Sequence, residues 1–398
     1  MNTEKKTQLK LSKNQISSVL TDFISTEKDG LNEVFTMVLN GLMKSERDCF
    51  LSENAIQGNK GNGYRQACRS GIGSKLSLSI PRDRLGVFKP VILGLLDQQE
   101  ELINDLCFEL YGKGLTTRQI EEVIAKIYGT HKSKSSISRI TTDFNAYIQS
   151  WLTRSLDSYY PIIYVDAIHL KVRRDVVSTE AFYILLGVKE DFTREVLDIV
   201  NIPQESASGW EDVLNGIKDR GVIQVGLFVS DDLKELDTVI GRVYANSMQQ
   251  KCVLHFMRNL SKHVRRTDRD AFCKELKQVF YPEAHRSKQQ AIELLHTFLS
   301  KWVSKYKKLE AVKHKNNLEL LFTYYLFDVS VRRMIYTTNW IERLNKAFRR
   351  TLKMRNALPS PDAAITLLGY VALEMTENKY SYPICNFKND LILNPEGV

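Results

Sequence analysis

Three acidic residues stand where they could do metal-assisted chemistry. The apolar, β-branched run Pro161-Ile-Ile-Tyr-Val carries one carboxylate at its end, Asp166. A second apolar run, 223–229, leads into Ser230, Asp231 and Asp232. The third acid, Glu342, sits in Asn339-Trp-Ile-Glu-Arg-Leu-Asn-Lys346. Hard divalent ions such as Mg²⁺ take carboxylate oxygens and keep several waters. Two such ions, ~3.5–4 Å apart, clamp the attacking and leaving oxygens in phosphodiester chemistry. A site of that kind has to gather a few carboxylates from distant positions, and these three acids fit it. Taken singly, a strand-end Asp is more often a turn or cap residue. Asn339 followed by Glu342 also approximates a capping box, which would explain both residues locally.

The elements around these acids favour a meeting. Runs over 161–168, 181–188 and 195–200 read as three strands of an antiparallel meander. A helix over 208–219, a strand over 223–229, a helix over 233–244 and a short strand over 249–253 follow. That order is the one expected of a ribonuclease-H-like α/β fold, a mixed sheet covered by helices. Its first and fourth strands are neighbours, which would bring together Asp166 and Asp231, 65 positions apart. Residues 158–253 and 336–376 are expected to form this core. Residues 254–335, basic and aromatic without a strand pattern, are expected to be an all-helical insertion. Residues 377–398 read as a loose tail.

Upstream, the spacing of Ile16, Leu20 and Phe23, then Leu31, Val34, Phe35, Val38, Leu39 and Leu42, predicts helices, so 1–75 reads as a helical region. Gly58–Tyr64 is a turn-rich break, and Ser74–Ile80 alternates as a strand. Residues 76–157 read as a mostly helical DNA-binding region. A helix over 96–111 is followed by one capped by Thr116 or Thr117, and Ser133 can cap a third. This outline resembles a helix-turn-helix, with Lys134, Ser135, Ser138 and Arg139 toward a groove or backbone. An ordinary helical hairpin would look the same. Arg82 and Arg84, after the strand, could touch phosphate or simply form a solvated turn.

The 398 residues carry a net charge of +9, which favours a polyanionic partner. The helix beginning near Asn339 is especially basic, with Arg343, Lys346, Arg349, Arg350 and Lys353. No apolar run approaches the ~18 residues a membrane span needs. Six scattered cysteines and no secretory signal suit a reducing cytoplasm. Cys252-Val-Leu-His255 invites a zinc reading, but no second Cys/His pair stands at matching spacing. Either residue could simply be packed at its strand end.

Several segments together resemble the Mutator-type transposases of bacterial insertion sequences. They are Asn62–Tyr64, Ile80–Arg84, Leu115–Ile120, Tyr164–Arg173, Val229–Asp231, Gln250–His255 with Arg258-Asn259, and Thr337–Asn345. The resemblance implies an Asp-Asp-Glu enzyme whose triad is Asp166, Asp231 and Glu342, using two Mg²⁺ ions or Mn²⁺ in their place. It places the family's Cys-x-x-His motif, Cys252 and His255, near the active site, and basic residues at Lys171, Arg173 and Arg258 toward DNA. It implies binding to terminal inverted repeats and target DNA, as a homodimer or larger assembly, in the bacterial cytoplasm at the nucleoid. Where the family has Gly after the second Asp, this chain has Asp232, which leaves the second acid open between Asp231 and Asp232. A non-catalytic regulator derived from such an enzyme, or a ribonuclease-H-like nuclease, are the alternatives.

Overall fold

The structure is a computed structural model. It describes residues 30–53, 58–70, 75–128, 134–203, 205–281, 286–313, 317–353, 355 and 357–384. The chain divides into two compact units, Met1–Asp143 and Phe144–Val398.

In the first unit, α1 (Gly30–Glu53) precedes a hairpin of β1 (Gly61–Ser70) and β2 (Lys75–Asp83). α2 (Val91–Gly112), α3 (Thr117–Tyr128) and the start of α4 (Lys134–Leu152) follow. Leu76, Leu78 and Ile80 alternate along β2, so all three fall on one face and pack against Met43 of α1. β1 is a correction to the helical region expected over 1–75. Its sequence, Gly-Asn-Gly-Tyr-Arg-Gln-Ala-Cys-Arg-Ser, has no apolar alternation to announce a strand. The strand forms because β2 needs a partner for its backbone N–H and C=O groups. Thr116 caps α3 in a reciprocal arrangement: its hydroxyl accepts from the Gln119 N–H, and the Gln119 side chain accepts from the Thr116 N–H. The apolar pattern at Ile16, Leu20 and Phe23, and the proposed cap Ser133, lie outside the described residues.

The second unit is built on a five-stranded mixed sheet in the order β5-β4-β3-β6-β7. β3 (Tyr159–Arg173), β4 (Val177–Val188) and β5 (Arg194–Asn201) form an antiparallel meander. β6 (Gln224–Ser230) runs parallel to β3, and β7 (Met248–Lys251) parallel to β6. From Tyr160 to Asp166 every residue of β3 is buried, which is why that stretch reads as continuously apolar up to the acid. Trp210, Val213, Leu214 and Ile217 of α5 (Ala207–Asp219) join Ile163, Val165 and Phe228 in one core. Leu236, Val239 and Ile240 of α6 (Leu236–Val243) complete it. Gly221 turns the chain from α5 into β6 at φ +120°, and a Cβ there would lie 2.7 Å from the Leu156 carbonyl oxygen.

After β7 come α7 (Val253–Ser261), α8 (Arg266–Phe280), α9 (Lys288–Val303), α10 (Glu310–Lys313) and α11 (Val329–Ile335), with 3₁₀ turns at Lys307–Leu309 and Leu318–Leu326. Among the described residues this stretch holds no strand. α12 (Asn339–Leu352) and α13 (Pro361–Met375) both touch β3. Ser360 caps α13 by accepting from the Ala363 N–H, with Pro361 in the first turn. The second half of α4 belongs to this unit, the tilted rings of Phe144 and of Tyr370 on α13 lying with centroids 5.3 Å apart. The division between units therefore falls inside α4, not at the change of composition near 157. No described helix is long and apolar enough to cross a membrane.

A buried ionic knot ties β5 to β3 and to the end of α4. Glu195 accepts from Arg154 Nη2 at 2.6 Å and from the Tyr160 hydroxyl at 2.7 Å, and Lys189 Nζ lies 3.2 Å away. Burial alone would raise the Glu195 carboxyl. Arg154, Tyr160 and Lys189 outweigh it and hold it below the usual carboxylate range. Glu195→Ala should lower unfolding stability by about 1–3 kcal/mol, since it leaves the buried Tyr160 hydroxyl and the half-buried Arg154 without their acceptor. Urea unfolding followed across pH checks the cause. The deficit should be full above the ordinary carboxylate range and shrink as pH falls through the depressed value in the folded state.

Candidate active site

Asp166, Asp231 and Glu342 reach one place by three different routes. Asp166 is the eighth residue of β3 and lies well inside that strand, a correction to its expected place at the strand's end. β3 runs on to Arg173 because its pairing with β4 continues to Arg173 and Val177. What ends at the acid is the parallel ladder: the last pair of β3 and β6 is Val165 with Ser230. Asp231 is the next residue after β6. Both carboxylates therefore sit just beyond the last pair of the parallel ladder, where an open α/β sheet forms a crevice.

Glu342 arrives on the first turn of α12. The expected capping box is absent. Thr338 is the N-cap and its side chain makes no capping bond. Asn339 is already helical, and the Glu342 N–H donates to the Thr338 carbonyl in the helix itself. The Glu342 carboxylate is thus released from the backbone and points to side chains across the site. Arg258 Nη1 donates to Glu342 Oε1 at 2.7 Å. His255 Nε2 lies 3.7 Å from the same oxygen. His255 Nδ1 is hydrogen-bonded to Asp231 Oδ1.

Burial comes first among the forces on Asp166, whose carboxyl is pushed up to about 7. The negative charges of Asp231 and Glu342 add to the rise, and the positive charge of His255 opposes it. His255 is pushed up to about 10, chiefly by its bond to Asp231 and then by Cys252. Two side chains that sequence reasoning left out of the acid set complete it. Asn345, one turn beyond Glu342 and buried, donates from Nδ2 to Asp166 Oδ2 at 2.7 Å. Arg258, expected to face DNA, is exposed and pairs with Glu342. The i, i+3 spacing of Glu342 and Asn345 was the available signal, since it puts both on one side of a helix.

Asp232 is turned away. Its Oδ1 pairs with Lys251 Nζ at 2.7 Å, and Lys251 also pairs with Asp237 at 2.8 Å. The basic residues expected to meet DNA are exposed wherever they are described. Arg343, Lys346, Arg349 and Arg350 stud α12, Lys353 caps its end, and Lys171 and Arg173 alternate with buried Val172 on β3. Arg343, Lys346 and Arg350 line a groove of about 980 Å³ with Arg194 and Trp340. The guanidinium groups of Arg194 and Arg343 lie 4.5 and 4.9 Å from the Trp340 ring centroid. In the first unit, Arg82 and Arg84 line a cleft of about 1460 Å³ with Arg65 and Arg69. Ser138 and Arg139 are exposed on α4, and the side chains of Lys134 and Ser135 lie outside the described residues.

The acid set suits a hard divalent cation. Its donors are carboxylate oxygens, and they repel one another as they stand. Beside Asp166, Asn345 Oδ1 is buried without a hydrogen-bond partner, an oxygen that a hydrated cation could satisfy.

Comparison with known proteins places this geometry in context. A family model described as "Transposase, Mutator family" matches residues 3–381. The chain is 31% identical over 361 residues to the transposase for insertion sequence element IS905 of Lactococcus lactis, covering 88% of this chain and 90% of that one. It is 31% identical over 353 residues to the transposase for IS1201 of Lactobacillus helveticus, covering 87% and 94%. It is 26% identical over 373 residues to the IS256 transposase in transposon Tn4001 of Staphylococcus aureus, covering 92% and 94%. Among solved structures, a chain of the Drosophila P element transposase strand transfer complex aligns with 70% of this chain and 91% of its own length, at 8% identity and a TM-score of 0.35.

Asn345→Ala should cost about 1–3 kcal/mol in urea unfolding, because Asp166 Oδ2 loses its buried donor. A stability equal to wild type would show that water replaces the amide at no cost.

Proposed function

The chain belongs to the Mutator family of transposases, and we propose that Asp166, Asp231 and Glu342 are the carboxylates with which it cuts and joins DNA. One observation carries the assignment. Acids from β3, from the end of β6 and from α12 converge on one another, while the rival acid Asp232 is committed to Lys251. The sheet order and the strand-free stretch before α12 support a ribonuclease-H-like core carrying an all-helical insertion.

The residues divide the work by position. Asp166, held by Asn345 and by the Ala167 N–H, is the fixed member of the set. Asp231 and Glu342 face it from the neighbouring strand end and from α12. Bound divalent ions, Mg²⁺ or Mn²⁺, would polarise the attacking water and stabilise charge on the leaving oxygen. The exposed cations of α12, with Lys171 and Arg173, would lie along the DNA backbone and fix its register without reading bases. Cutting at the element ends leaves 3′-hydroxyls, and these attack the target phosphodiester at the same carboxylates. The first unit, with Arg82, Arg84, Ser138 and Arg139 exposed, would bind the terminal inverted repeats. Because two ends are handled together, the working form would be a dimer or larger.

The test uses labelled DNA carrying the element ends, purified protein and Mg²⁺. Asp166→Asn, Asp231→Asn and Glu342→Gln should each lower cleavage by at least about a hundredfold. Asp232→Asn should stay within a few-fold of wild type, since Lys251 keeps Asp237. Full cleavage by Glu342→Gln would remove it from the triad. A collapse confined to Asp232→Asn would move the second acid by one position.

A further inference from the structure

The Cys252-Val-Leu-His255 motif has no part in the reaction above, yet the structure gives it a third companion. We propose that Cys252, His255 and Asp231 form a binding site for a thiophilic divalent cation of the zinc class. It shares Asp231 with the carboxylate set but differs from it in chemistry.

The sequence offers only two of these ligands, and two do not hold zinc. The third comes from the sheet. The Cys252 N–H donates to the Ser230 carbonyl at 2.7 Å, which clamps the start of α7 to the end of β6. Cys252 is the N-cap of α7 and His255 stands on its first turn, so the two side chains share a side. Asp231, next after Ser230, then faces both. The sulfur, an imidazole nitrogen and a carboxylate oxygen all lie within 4.8 Å of one another. Bonds of about 2.0–2.3 Å to a common ion would draw the sulfur in and part Asp231 from His255, whose direct hydrogen bond would give way to the ion.

The donor types choose the ion. A thiolate and an imidazole rank zinc-class ions far above Mg²⁺, which prefers an all-oxygen shell. Three protein ligands leave a fourth tetrahedral position for water. Cys252 is buried, and its sulfur has polar company. The Thr338 hydroxyl lies 3.4 Å from Cys252 Sγ. Arg258 Nη1 and Glu342 Oε1 stand 3.2 and 3.7 Å from the other imidazole nitrogen of His255, so polar groups surround the outer edge of the ring. Cys252, His255, Phe256 and Asn259 also line a small pocket beside the site. Binding would release the thiol proton, and any imidazolium proton, to solvent.

The site has a consequence for catalysis, which rests on the function proposed above. An ion held here takes Asp231 from Asp166 and Glu342, so zinc-class ions would inhibit the Mg²⁺-dependent reaction.

Binding is tested apart from cleavage. The full chain, freed of metal, is titrated with Co²⁺ while the near-ultraviolet thiolate-to-cobalt band is followed, and Zn²⁺ is then added. One equivalent should develop the band and Zn²⁺ should abolish it. Cys252→Ser should remove the band, and His255→Gln should weaken binding tenfold or more. No band in wild type, or a band that survives Cys252→Ser, overturns the site. X-ray absorption on the wild-type Zn²⁺ complex needs no variant. One sulfur at about 2.3 Å with nitrogen and oxygen at about 2.0–2.1 Å is expected, and an all-nitrogen/oxygen shell refutes it. Inhibition is read as cleavage with and without Zn²⁺ within each protein, and Cys252→Ser should lose that sensitivity. If the band and sulfur shell appear and Zn²⁺ does not inhibit, the metal site stands and the shared role of Asp231 falls.

Discussion

Like charges gathered in a half-buried place repel, and everything around the acid set answers that repulsion. Asp166 is 4% exposed and feels both Asp231 and Glu342. Left alone, such a group takes up protons or pushes its neighbours away. The chain holds it in place with a buried amide, Asn345, and sets two cationic side chains, His255 and Arg258, against the other two acids.

The proposed chemistry would need rigid mounts, because a misplacement of about 1 Å is costly to catalysis. β3 is the central strand, hydrogen-bonded on both edges and buried through Asp166. Asp231 is fixed by leaving β6 just where β7 and α7 are clamped to it. Only Glu342 comes from far along the chain, and it is mounted on a helix that itself rests on β3. The Tyr164 hydroxyl, on the same face of β3 as Asp166, donates to the Met334 carbonyl shortly before α12 begins. That bond ties the approach to α12 to the strand bearing the first acid.

Charge is segregated around this centre. α12 turns Glu342 and Asn345 inward and sets its arginines and lysines toward solvent, so one helix carries both an acid and a cationic surface for a polyanion. The family relation agrees with that economy. In the proposed function, this one helix would both hold DNA and supply a carboxylate.

Much of the core was legible in the order of residues. The buried strands β3, β4 and β6 announced themselves as β-branched runs, and short connections marked the meander, because burial on both faces leaves no polar alternation. Asp166, Asp231 and Glu342 could be nominated by type, and Asp232 could not be separated from Asp231. That choice depends on where Lys251 points, which nothing local encodes. The strand β1 was hidden because it exists to pair β2. Glu342 resembled a capping residue until the helix was seen to begin one residue earlier. Asn345, the Arg258 pairing and the approach of Asp231 to Cys252 and His255 were decided only by folding. The sequence determines propensity, periodicity and charge along one dimension. Which distant side chains meet, and which acid is neutralised by which cation, is settled by sheet pairing and helix docking, because those contacts join positions that no local pattern connects.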